Sequence, residues 1–257
     1  MGEQEKKRRI NPLYYPVKWL VRLFSPRYVC EGTENLPDES CVIVGNHCQM
    51  YGPIACEFYM PVPRRTWCAG EMMRLREVPD YAFHDFWPHK PKRVQWFYRL
   101  LSYLIAPLSV LIFNNAGTIP VYHDARVIRT FRETVDALQA GTSAVIFPER
   151  EVAWNGILWD FQDKFIDLAR LYRRRTGKAL AFVPMYIAPR LGRIVFGPAV
   201  RYDLDAPADR ERARIKAALM EEITACACAL PRHTVVPYPN IPKRNYPENV
   251  PKEAHDA

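Results

Sequence analysis

Cys41-Val42-Ile43-Val44-Gly45-Asn46-His47 is a short apolar run that stops abruptly at two polar side chains. A strand with one wet face alternates apolar and polar residues, whereas an unbroken β-branched run reads as a strand buried on both faces. Ala144-Val145-Ile146-Phe147-Pro148-Glu149 repeats the pattern, again ending at a polar residue. Residues 65–69, 180–187 and 193–196 fit further strands. Between them lie helical patterns. Asp124 is placed to N-cap a helix with Val127, Phe131, Val135 and Leu138 on one face and Gly141 past its end. Leu158, Phe161, Phe165, Leu168 and Tyr172 recur at helical spacing up to Gly177. Residues 208–229 carry the last stripe, Ile215, Leu219, Ile223 and Cys226. Strands alternating with helices predict an α/β fold, a single domain with a mixed central β-sheet flanked by helices. The expected organisation is a basic amphipathic arm over residues 1–30, the α/β domain over 31–237 and an irregular tail over 238–257, which is rich in Pro, Lys and Asn.

The chain has 257 residues and a formal net charge of +8, with clusters at Lys6-Lys7-Arg8-Arg9, residues 90–93 and Arg173-Arg174-Arg175. Such a surface suits nucleic acid, acidic lipid or plain solubility. No recognition motif or aromatic platform accompanies the clusters, which argues against nucleic acid. The seven cysteines (30, 41, 48, 56, 68, 226 and 228) form no CxxC pair and show no metal-ligand spacing with the six histidines, so no metal site is predicted. Their apolar surroundings fit a reducing cytosol.

Residues 100–113, LLSYLIAPLSVLIF, are the most apolar stretch. They fall short of the ~20 residues that span a bilayer and contain Pro107. Gln95-Trp96-Phe97-Tyr98-Arg99 precedes them with the aromatic-basic mixture found at lipid headgroups. Residues 13–24, LYYPVKWLVRLF, mix the same residue types. Both segments read as helices lying on a membrane, with a core helix as the alternative for each. The predicted location is peripheral, on the cytoplasmic face, against anionic lipid.

In α/β proteins, polar residues just beyond the carboxyl ends of buried strands are where sites form. Asn46-His47 and Pro148-Glu149 are two such points. A histidine there is suited to general-base chemistry, because its ordinary pKa lies near neutrality. A lone histidine is more often a hydrogen-bonded structural residue. A thiol nucleophile at Cys48 is disfavoured, since sequence neighbours rarely face each other as a nucleophile and base must.

Val44-Gly45-Asn46-His47 resembles the first motif of the lysophospholipid and glycerolphosphate acyltransferase family, in which a strand leads into Asn-His followed after four residues by Asp. Gly117-Thr118-Ile119-Pro120-Val121 resembles the second motif, Val145-Ile146-Phe147-Pro148-Glu149 the start of the third, and Phe182-Val183-Pro184-Met185 the fourth. Arg193-Ile194-Val195-Phe196-Gly197 is similar to the strand that follows. The resemblance covers about residues 40–230 and rests on motif order. It implies O-acyl transfer from acyl-CoA or acyl-carrier protein, with no bound cofactor, to a lysophospholipid-type hydroxyl. In the family the histidine takes the hydroxyl proton, the aspartate orients the histidine, and the second and third motifs bind phosphate. Asn46, His47 and Glu149 are the catalytic candidates on this reading.

The departures are specific. The aspartate's position is Gly52, the basic residue of the second motif is His123, and the third motif continues as Arg150-Glu151-Val152-Ala153 in place of Gly-Thr-Arg-Ser. Glu57, Tyr51 and Glu149 are the candidates for partnering His47. Gly117, Arg126, Arg129 and Arg150 are the candidates for the acceptor's phosphate, the arginines because guanidinium suits bidentate phosphate contact. The competing function is a catalytically inactive lipid- or acyl-carrier-binding protein on the same fold. A carboxylate within hydrogen-bond reach of the His47 ring favours the enzyme, and an imidazole with only apolar neighbours favours binding without chemistry.

Overall fold

The computed structural model describes residues 10–87, 90–122 and 124–252. In chain order the elements are α1 (Tyr14–Phe24), β1 (Val29–Glu31), β2 (Val42–Gly45), α2 (Tyr51–Tyr59), β3 (Arg64–Ala69), α3 (Val78–Phe86), α4 (Gln95–Asn115) and β4 (Ile119–Val121). There follow α5 (Val127–Gln139), β5 (Ser143–Ile146), β6 (Glu149–Ala153), β7 (Trp159–Phe161), α6 (Leu168–Thr176), β8 (Ala181–Ala188), β9 (Arg193–Phe196), β10 (Val200–Arg201) and α7 (Ala208–Ala229). The described chain forms two compact units, residues 10–25 with 68–120 and residues 26–67 with 121–252.

The larger unit is built on a mixed sheet in the order β1-β9-β8-β2-β5-β3. β8, β2, β5 and β3 run parallel, β9 is antiparallel to β8, and β1 is parallel to β9. β10 pairs antiparallel with the start of β8. β2 lies between two parallel neighbours, and all four of its residues are buried. Its side chains separate by the period of two. Val42 and Val44 join a core with Ile215, Leu219 and Ile223 of α7, while Ile43 joins another with Ala55 and Cys56 of α2. This is the predicted α/β architecture, helices on both faces of a mixed central sheet.

Two helix expectations are corrected. Asp124 is not the N-cap: α5 begins at Val127, and Asp124 Oδ1 accepts the Arg126 N–H at 2.8 Å in the turn before it. Leu158 and Phe161 do not start a helix. Residues 159–161 form β7, antiparallel to β6, and α6 opens only at Leu168. Their spacing of three is compatible with a hairpin strand joined to a turn, a confusion periodicity cannot resolve over so short a run.

In the smaller unit α4 packs along α3, with Met72, Val78, Ala82 and Ala106 as its buried apolar centre. The sequence expectation of a segment too short to span a bilayer is also revised. Lys92–Asn115, 24 residues with a mean hydropathy of 1.6 over its most apolar window, is long and apolar enough to cross a membrane. Only 17% of that window is buried. Helix continuity through Pro107 and the apolar start at Trp96 supply the length that residues 100–113 alone lacked. Polar ties run along the packed face of α4: Arg99 to Asp80 at 2.7 Å, Ser109 Oγ to the Met72 carbonyl at 2.9 Å and Asn114 Nδ2 to the Met73 carbonyl at 3.0 Å. The cluster at residues 6–9 lies outside the described residues.

Candidate functional site

The carboxyl ends of β2 and β5 are adjacent, because the two strands pair in parallel from Val42–Ala144 to Val44–Ile146. The backbone leaves β2 through Asn46 and His47, and leaves β5 through Phe147 and Pro148 to Glu149. Glu149 is buried and its carboxylate is held by two backbone donors. The His47 N–H reaches Oε2 at 2.6 Å and the Trp159 N–H reaches Oε1 at 3.0 Å. Burial raises the Glu149 pKa to about 7, although both backbone N–H groups favour the carboxylate.

Asn46 is buried and fully committed. Its Oδ1 accepts the Ile187 N–H at 2.7 Å and its Nδ2 donates to the Ile187 carbonyl at 3.0 Å. The side chain thereby extends the β2–β8 ladder one step past Gly45. These two bonds position the strand end from which His47 departs.

The loop after His47 is unusually tight. Cys48 and Gln49 have φ of 38° and 56°, left-handed values that residues other than glycine, asparagine and aspartate seldom adopt. The turn brings Gly52 against the His47 carbonyl, where an added Cβ would lie 2.3 Å from the oxygen and 3.2 Å from the Phe147 ring. Position 52 therefore has no room for any side chain while the loop keeps this shape. The glycine at the aspartate's position is a steric requirement of the loop.

The His47 ring stands edge-on to Phe147, with centroids 5.3 Å apart, and edge-on to Tyr238 at 5.6 Å. Its Nδ1 is buried and has no hydrogen-bond partner among the described residues. Burial lowers the His47 pKa to about 4, so the imidazole is neutral at physiological pH. None of the three proposed ring partners fills that role. Glu57 is ion-paired with Arg64, whose guanidinium also donates to the Cys56 and Glu57 carbonyls. Glu149 holds the backbone of His47 and not its ring. Tyr51 begins α2, a third exposed, and its N–H closes the turn onto the Cys48 carbonyl at 3.2 Å. No carboxylate is hydrogen-bonded to the His47 Nδ1 among the described residues.

Cys48 is fully buried, and burial holds its thiol well above the ordinary range with Glu149 and Cys56 adding to the effect. A thiolate nucleophile there is disfavoured on that ground. The three arginine candidates for the acceptor's phosphate are each ion-paired. Arg126 pairs with Asp124 at 2.7 Å and stacks over Tyr122 at 4.0 Å. Arg129 pairs with Glu133 at 2.7 Å, and Arg150 donates to Asp160, also at 2.7 Å, which Lys216 contacts as well. Gly117 belongs to the smaller unit, at φ 65° ahead of β4. His123 lies outside the described residues.

Sequence reading missed Tyr238 and the pair Tyr186–His233. Tyr186 Oη and His233 Nε2 are 2.9 Å apart inside the core, with His233 Nδ1 on the Pro231 carbonyl at 2.7 Å. Tyr238 sits in what read as an irregular tail, and nothing in its local sequence points to a residue far away in the chain. His233 carried no motif either.

No family model matches the chain, and no curated protein matches its sequence. Its structure is similar to the crystal structure of the 1-acyl-sn-glycerophosphate (LPA) acyltransferase PlsC from Thermotoga maritima. The similarity has 16% sequence identity and a TM-score of 0.46, over 85% of this chain and 81% of that one.

Proposed function

We propose that this protein is an O-acyltransferase acting on a lysophospholipid-type hydroxyl, with His47 as general base. The observation that carries the reading is the 2.6 Å bond from the His47 N–H to Glu149. It joins the two polar strand ends, singled out independently in the sequence, at the carboxyl edge of the parallel strands. The imidazole is neutral, the form a base requires, but burial leaves it a weaker base than a histidine near neutrality. On this reading the acceptor's O–H proton passes to the ring, and its oxygen attacks the thioester carbonyl of acyl-CoA or acyl-carrier protein. The C–S bond then breaks, and the thiolate leaves with the proton. Without a carboxylate to stabilise the imidazolium, turnover is slow, since that role is worth about four orders of magnitude in a serine-protease triad. The paired arginines leave the acceptor's headgroup open to amine and neutral classes as well as phosphate.

The smaller unit is proposed to rest on a membrane surface. Trp19 and Trp96 are 65% and 70% exposed, and Leu13, Leu23, Phe24, Leu100 and Leu104 are exposed with them. The ties from α4 to Asp80, Met72 and Met73 favour a helix lying on anionic lipid over one crossing it, because they bind its length to polar elements. A cytoplasmic-face location belongs to the same proposal.

The second reading is a catalytically inactive lipid- or acyl-carrier-binding protein. The unpartnered Nδ1 between two aromatic edges favours it. A thioester-release assay separates the two, using acyl-CoA and acyl-carrier donors with phosphate, amine and neutral acceptors. The enzyme releases free thiol or carrier and His47→Ala abolishes release. Lipid binding without turnover on any acceptor establishes the second reading.

A further inference from the structure

The His47 imidazole is held by two aromatic edges from different parts of the chain. Phe147 arrives from the end of β5, and Tyr238 from the segment after α7. That segment is a strap closed upon itself. The Val235 N–H donates to the Pro247 carbonyl at 2.8 Å, and Thr234 bridges to Glu248. Beyond the bridge, buried Asn249 accepts the His233 N–H at 2.8 Å and donates to the Ala227 carbonyl at 2.9 Å. The Lys252 N–H reaches the Asn155 carbonyl, also at 2.9 Å.

Between these anchors the strap meets the His47 loop through Gln49. Its Nε2 donates to Tyr246 Oη at 3.1 Å and to the Pro239 carbonyl at 3.4 Å. Gln49 is one of the two left-handed residues of that loop. The loop geometry that excludes a side chain at Gly52 therefore also presents Gln49 to the strap. Among the described residues, Phe147 and Tyr238 make aromatic contacts on the ring itself.

We infer that the strap over residues 234–252 is a lid on His47, tied by Gln49, and that Tyr238 is the positioning residue that keeps the imidazole in its reactive orientation. Its catalytic meaning rests on the acyltransferase reading, but the contact itself is testable in the free protein. Among the described residues, Tyr238 of the strap is the titratable side chain in contact with the ring, and Glu149 at the β5–β6 junction holds the His47 backbone. Burial is the cause of the low His47 pKa, so admitting water raises it towards 6.5.

The experiment follows the His47 imidazole by NMR titration and by diethyl pyrocarbonate modification mapped to the His47 peptide. It compares the unmodified protein with Tyr238→Phe, Tyr238→Ala and Gln49→Ala. The unmodified protein and Tyr238→Phe are expected to titrate near 4 and react slowly. Tyr238→Ala and Gln49→Ala are expected to titrate higher and react several-fold faster. Unchanged titration and reactivity in both alanine variants, with native circular dichroism, overturns the lid. Tyr238→Phe behaving like Tyr238→Ala overturns the ring contact. If Tyr238→Ala does not fold, Gln49→Ala decides. No substrate is involved, so absence of turnover in the thioester assay bears on the functional reading alone.

Discussion

A Cβ at Gly52 would sit 2.3 Å from the His47 carbonyl oxygen, and that distance governs what can be restored at this site. Gly52→Asp brings back the residue type of the resembled motif but forces the loop apart. It is expected to lower stability by about 1–3 kcal/mol, in the range of overpacked positions. The melting temperature should fall with no gain in thioester release. A rise in turnover at unchanged melting temperature would show instead that the loop relaxes to admit the carboxylate. Asn46→Leu tests the neighbouring clamp. It strips both side-chain bonds from Ile187 inside the sheet, and leaving buried groups unpaired costs roughly 1–3 kcal/mol each. Urea unfolding should give a lower midpoint at unchanged slope.

At the scale of elements, α1 and α4 carry exposed tryptophans and leucines, with cations among them. Lys18 lies over the Tyr14 ring, and Arg22 stands in the last turn of α1. Replacing Trp19 and Trp96 together by Glu removes two interfacial anchors and adds charge of the sign that anionic lipid repels. Co-sedimentation with phosphatidylglycerol vesicles should fall several-fold while the melting temperature stays put, since both side chains are mostly solvent-exposed. Raising the salt should weaken binding of the unmodified protein through the Debye screening of its basic residues. Unchanged sedimentation of the double variant would exclude these helices as the docking face.

For the whole molecule, His47 and Glu149 make opposing contributions to stability against pH. The folded pKa of His47 is depressed from 6.5 to about 4, so the unfolded chain binds more protons between those values and stability rises with pH there. The folded pKa of Glu149 is raised from 4.5 to about 7, so the native state binds more protons and stability falls with pH across that window. Each effect is on the order of 3 kcal/mol, from 1.36 kcal/mol per pKa unit. The two nearly cancel between 4.5 and 6.5. Denaturant titrations in that range should show a flat contribution in the unmodified protein. Glu149→Gln should unmask stability that rises with pH, and His47→Phe stability that falls. A flat profile in both variants would mean that neither group is titrating from its buried state.

The buried runs at residues 41–45 and 144–146, the strand at 193–196 and the helix at 208–229 were legible because continuous or periodic apolar residues have few ways to be buried. Their order was enough for an α/β sheet with polar residues, His47 and Glu149 among them, at its carboxyl edge. Sequence alone misread residues 158–161, where a hairpin and a helical turn share one spacing. It also had no means of seeing that Glu149 holds the His47 backbone, that Glu57 is taken by Arg64, or that Tyr238 closes on the imidazole. Those are contacts between distant parts of the chain, fixed by how strands and strap pack in three dimensions. The same holds for Gly52. Its identity is plain in the sequence, but only the folded loop, with the carbonyl of His47 pressed against it, gives the reason.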